Sequence, residues 1–167
     1  FTHRYQINKL DGAVRILGFY TSANMVNYKQ SLALSSVNPA IENTRKYGHT
    51  KYGFGISAEQ NLTRDLGCFL RASWNDGQNE TWVFTEIDHT ISGGLSLNGQ
   101  GWNRAADNIG LATVASGISK AHQDYLKAGG KGFILGDGNL NYGIEHLTEL
   151  YYSADLYEQR IFLTGAY

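Results

Sequence analysis

Between Phe69 and Thr90 the sequence gathers side chains able to grip a hydroxyl-rich ligand: Arg71, Asn75, Glu86 and Asp88, interleaved with Trp74, Trp82 and Phe84. A guanidinium beside carboxylates keeps each charge paired while leaving spare donors and acceptors for water or a polar solute. A sugar needs such partners around its hydroxyls. It also needs flat surfaces against the C–H faces of its ring, which Trp82 or Phe84 can supply. The same charges would equally serve as structural ion pairs stiffening a wall, and Trp74 suits an aromatic girdle.

Other chemistry is thin. His3, His49, His89, His122 and His146 lack zinc-ligand spacing, and no Gly-x-Ser-x-Gly elbow occurs. Asp137-Gly-Asn-Leu-Asn141 has the outline of a calcium loop. However, Tyr142 stands where glycine is needed and Thr148 where a bidentate Glu is needed, so a turn is the better reading. Gly53-Phe-Gly55 lacks the third glycine of a dinucleotide fingerprint. The lone Cys68 offers neither an internal disulfide nor a metal cluster. No enzyme, cofactor or metal is therefore expected. A net charge of −1 gives a nucleic-acid partner no electrostatic support.

The elements that must position these residues read as strands. Twenty glycines, eleven tyrosines and one proline suit strands and turns better than a helix bundle. Alternation marks eight segments at about 2–9, 13–27, 51–62, 66–76, 81–98, 108–117, 142–156 and 159–167. Asp11-Gly12 and Thr63-Arg64-Asp65 read as tight turns; 28–50 and 118–141 read as long polar loops, the second opening with one or two helical turns. Leu66, Cys68, Leu70, Ala72 and Trp74 share one face, and Arg71, Ser73 and Asn75 the other. On 81–98, Glu86 and Asp88 fall on the polar face with Arg71 and Asn75.

No run approaches the roughly 18 apolar residues of a transmembrane helix. Short turns on one side and long loops on the other are what a membrane β-barrel needs. The expected fold is therefore all-β, an antiparallel transmembrane barrel, with 1–167 as a single partial barrel. If the short turns are periplasmic, the last strand ends on the extracellular side. The segment then reads as an interior piece lacking strands at both ends; a small closed barrel of reversed polarity is the topological alternative. Alternation alone also fits a soluble all-β carbohydrate-binding module with Trp82 and Phe84 as its platform. Loop rhythm and strand length favour the barrel.

Several blocks carry a resemblance. Tyr52-Gly-Phe-Gly-Ile-Ser-Ala-Glu-Gln-Asn-Leu62, Asp65-Leu-Gly-Cys-Phe-Leu-Arg-Ala-Ser-Trp-Asn-Asp-Gly77 and Glu80-Thr-Trp-Val-Phe-Thr-Glu-Ile-Asp88 are similar to carbohydrate-selective porins of the OprB type. So are Ser119-Lys-Ala-His-Gln-Asp-Tyr-Leu-Lys-Ala-Gly-Gly130 and Leu135-Gly-Asp-Gly-Asn-Leu-Asn-Tyr-Gly143. The resemblance covers most of 45–167, with 1–44 matching loosely. It implies a sixteen-stranded barrel of the bacterial outer membrane that passes glucose and other sugars passively. It implies pore-lining roles for Arg71, Glu86 and Asp88, and for Glu59. Expected partners are carbohydrate substrates, outer-membrane lipid and lipopolysaccharide; a homo-oligomer is compatible with the sequence and not required by it.

Overall fold

The computed structural model describes residues 1–80 and 86–167. Among the described residues, eight strands form one antiparallel sheet in which each strand pairs only with its neighbours in sequence: β1 (Thr2–Ile7), β2 (Leu10–Met25), β3 (Lys46–Asn61), β4 (Leu66–Asn75), β5 (His89–Gly99), β6 (Arg104–Gly117), β7 (Glu145–Tyr157) and β8 (Ile161–Ala166). The sheet is open, with β1 and β8 at its edges. Helix α1 (Tyr28–Leu34) and a 3₁₀ turn at Ile41–Thr44 lie between β2 and β3, and helix α2 (Lys120–Lys127) lies between β6 and β7.

Alternation sorts the side chains as the sequence requires. Register places Ile16, Ile56, Ala72, Ile91 and Ala115 in one row across five strands, and Cys68, Leu95, Leu111 and Leu150 in another. These rows share the outward face, where Leu95 is 45% and Leu150 51% exposed. So much contiguous apolar surface is unlike a soluble monomer, and a soluble sandwich would have to cover it. It is the surface a strand wall turns to acyl chains. Tyr20, Tyr52, Phe54 and Trp74 gather at one end of this face, with Trp74 edge-on to Tyr52 at 5.9 Å and tilted on Phe54 at 5.7 Å. At the other end the Trp102 indole N–H donates to the Tyr152 hydroxyl at 3.4 Å. Two aromatic bands flanking an apolar one make up an interfacial girdle.

Several boundaries differ from the sequence reading. The first turn is Asn8-Lys9, both at positive φ (52° and 65°), and Asp11 and Gly12 lie within β2 opposite Gln6 and Tyr5. A two-residue turn of this hand matches strand twist, and Asn is at home in it. The loop expected at 28–50 holds α1, the 3₁₀ turn and the start of β3. Strand β6 begins at Arg104 rather than 108, and β7 at Glu145 rather than 142. The strand expected over 81–98 is shorter: β5 begins at His89, while Glu86, Ile87 and Asp88 precede it as irregular chain.

Burial is concentrated away from the sheet. Apart from Ala13 and Met25, the buried apolar side chains among the described residues are Val26, Tyr28, Ile41, Ile118, Ala121, Tyr125 and Leu126, and they form one cluster. All belong to the two long connections. At about 3.3 Å per residue, the 16 residues of β2 and of β3 run roughly 50 Å. About 9–11 residues suffice to cross hydrocarbon. The surplus ends near Met25 and Lys46 therefore stand clear of the membrane, under this cluster.

Candidate functional site

The inward face carries two adjacent polar rows. Thr2, Arg15, Ser57, Arg71 and Ser92 are successive cross-strand partners from β1 to β5. One step along lie Arg4, Ala13, Glu59, Phe69 and Gly94. Glu59 thus sits diagonally between two arginines: Arg15 donates to its Oε1 at 2.6 Å, and the Arg71 guanidinium lies 5.0 Å from the centre of the Phe69 ring. The rows border a groove of about 950 Å³ lined by Arg4, Arg15, Glu59, Phe69 and Arg71. Arg15 and Glu59 remain exposed, and an exposed pair is worth about 0–1 kcal/mol, so the row contributes arrangement more than stability. Donors, an acceptor and an aromatic face converge on water.

Where β2 and β3 emerge, the long connections fold over this same inward face. The inward-pointing His49 and Lys51 are buried beneath them, with His49 Nδ1 2.7 Å from the Met25 carbonyl oxygen and Lys51 Nζ donating to the Asn79 carbonyl at 3.1 Å. Asn79 donates to the Thr50 carbonyl and accepts from the Asn27 side chain, and Asn27 in turn caps α1 by accepting from the Gln30 N–H at 3.0 Å. Ser119 caps α2, accepting from the His122 N–H at 3.1 Å and donating to the Gly77 carbonyl at 2.6 Å. Gly77 sits at φ 54°, and a Cβ there would come within 2.2 Å of Ser119, so no other residue fits. Tyr28 stacks on His122 at 4.4 Å and packs against Tyr125 at 5.1 Å.

Glu86 and Asp88 are drawn into this cap. Both are buried, at 4% and 2% exposure. The Glu86 carboxylate accepts from three successive backbone N–H groups, Phe133 at 2.8 Å, Ile134 at 2.7 Å and Leu135 at 2.5 Å. Asp88 Oδ2 accepts from the Ser119 N–H at 2.8 Å and lies 3.2 Å from His122 Nδ1; its Oδ1 is 3.7 Å from Lys51 Nζ. Burial pushes the Asp88 carboxyl up, but the His122 and Ser119 hydrogen bonds and the Lys51 charge outweigh it and hold the group below the usual carboxylate range. Burial raises neighbouring Asp76.

The residues singled out from sequence therefore part company. Arg71 and Glu59 meet on the inward face, joined by Arg15, Arg4 and Phe69, which the motif blocks did not single out. Arg15 shares the inward alternation of 13–27 and was legible from it. Asn75 is inward too, but its amide is occupied, donating to the Ile87 carbonyl at 3.2 Å and accepting from the Gly77 N–H at 2.9 Å. Glu86 and Asp88 do not lie on a lumen-facing strand: they precede β5 as irregular chain, and their carboxylates face loop backbone, His122 and Lys51. Trp82 and Phe84 lie outside the described residues. Asp137 accepts from the Asn139 N–H at 3.1 Å, a local turn.

The sequence matches the family model described as carbohydrate-selective porin, OprB family, over residues 1–165, so the likeness includes the N-terminal 44 residues. Among solved structures, the high-pH structure of Pseudomonas putida OprB matches with a TM-score of 0.68 at 19% identity, covering 92% of this chain and 38% of that one. The chain thus spans under half the length of that protein, and at this identity the likeness speaks for the fold. Among curated protein sequences, none matches.

Proposed function

The chain belongs to the OprB family of carbohydrate-selective porins, and on that premise we propose that the complete protein is a passive, water-filled conduit for sugars, with further strands pairing to β1 and β8. Its place is the bacterial outer membrane. The observation that carries the reading is the pair of rows Arg15–Ser57–Arg71 and Arg4–Glu59–Phe69, facing water behind an apolar outer wall.

Guanidinium and carboxylate groups offer a passing sugar several weak hydrogen bonds, so binding helps entry without trapping the solute. Phe69, held under Arg71, provides the flat face that Trp82 and Phe84 were expected to give. Opposite charges lie side by side, which moderates any pull on bulk ions. Transport needs no bond to break, and the reading is a channel rather than an enzyme. The outward rows meet lipid and, at the long-loop side, lipopolysaccharide.

The test is planar-bilayer conductance and liposome swelling of the complete protein. Millimolar glucose is expected to reduce the ion current and to swell liposomes; an unchanged current with no swelling rejects sugar passage. Arg71→Ala is expected to weaken glucose block more than Arg64→Ala, whose residue lies between β3 and β4 in a tight turn. Equal effects would remove Arg71 from the conduit.

A further inference from the structure

We propose that Glu86 and Asp88 are positioning residues that hold the 118–141 connection folded over the inward face and so set the width of the channel; the proposal rests on the porin reading. The two carboxylates precede β5 and grip the connection at separate points. Asp88 takes its start, at Ser119 and His122, while Glu86 takes the turn at 133–135. A desolvated carboxylate persists only where donors replace its water. Among the described residues, the donors to Glu86 are backbone N–H groups of that one turn. Three successive N–H groups aimed at two oxygens make an anion nest, which a neutral side chain cannot fill.

Gly132 completes the fit, since a Cβ at that position would lie 2.0 Å from Glu86 Oε1. The two anchors are unequal. Helix α2 is held independently by Ala121, Tyr125 and Leu126 in the buried cluster, whereas Phe133 and Ile134 remain exposed and outside it. Losing Glu86 therefore frees the second half of the connection, and losing Asp88 loosens the first half less.

The experiment is single-channel conductance of the complete protein in potassium chloride, with heat-modifiable electrophoretic mobility confirming a folded barrel. Glu86→Leu, matched in size but without an acceptor, is expected to raise conductance about twofold or more, because conduction follows the narrowest section. Glu86→Gln, which keeps one acceptor oxygen, should fall between, and Asp88→Asn should change less than Glu86→Leu. Faster proteolytic cleavage within 131–139 in Glu86→Gln than in wild type supports the proposal even where Glu86→Leu fails to fold. Wild-type conductance in folded Glu86→Leu, or wild-type cleavage in Glu86→Gln, overturns it. Because the current is carried by salt, failure of glucose to block wild type would sink the sugar reading while leaving this comparison intact.

Discussion

The strand wall and the loop cap bury apolar surface by opposite means. In the wall, Leu95, Leu111 and Leu150 stay exposed and the inward face is polar, so the sheet has no core of its own. In the cap, Tyr28, Tyr125 and Leu126 are almost fully enclosed, as in a small soluble domain. Period two forces every second wall residue outward, where lipid serves as the apolar phase. Helices of seven and eight residues are too short to persist alone. They hold only because α1 and α2 pack on each other through Tyr28, His122 and Tyr125. One chain thus meets two solvents, and the same residue type has a different worth in each.

That contrast can be broken most sharply by matched truncations. Leu126→Ala leaves a cavity in the cap and should cost about 2–5 kcal/mol there, whereas Leu95→Ala, facing fluid acyl chains, should cost roughly 0.5 kcal/mol. Limited proteolysis of 118–141 reads the first and heat-modifiable mobility the second; equal costs would mean the outer face is not in lipid. Charge gives a slightly smaller test. Leu111→Arg on the outer face should cost about 2–4 kcal/mol in refolding yield measured against urea, while the adjacent Ala112→Arg, inward and opposite Glu149, should be nearly neutral. A large penalty at both positions would contradict the assignment of faces.

The smallest expected effect sharpens the cap alone. Because the folded Asp88 carboxyl lies below its unfolded value, its contribution is full above about pH 4 and is lost as pH falls through the folded value. Asp76, raised by burial, works in the opposite direction. Protease cleavage of 118–141 should accelerate on acidification in wild type and do so less in Asp88→Asn. Identical acid profiles would remove Asp88 from the latch.

How much of this could be read from the chain divides along the same line. The wall was legible, because alternation over Leu66–Trp74 and Glu145–Leu156 needs nothing but local periodicity. Its ends were less so: Asn8-Lys9 rather than Asp11-Gly12 turns the first hairpin, since turn conformation depends on φ at two residues. Arg71 was assigned its polar face from alternation, whereas Glu59 was named through the resemblance alone; register puts the two on the same face. Glu86 and Asp88 were misplaced because the alternation in Glu86-Ile-Asp88 looks like strand, while the backbone N–H groups they accept from lie 31 to 49 residues downstream. No local pattern marks a carboxylate that will meet three backbone N–H groups in another loop. The buried cluster was hidden for the same reason, joining Val26 to Ile118 across most of the chain.

Nearest-neighbour pairing throughout the sheet makes the hairpin a unit of growth. A wall of this kind can gain or lose two strands without rethreading the rest, its circumference changing in proportion. The welded loops withdraw that freedom locally: a hairpin inserted between β2 and β6 would pull Tyr28 away from His122. Evolutionary change in girth is therefore cheapest outside β2–β6, toward the sheet edges.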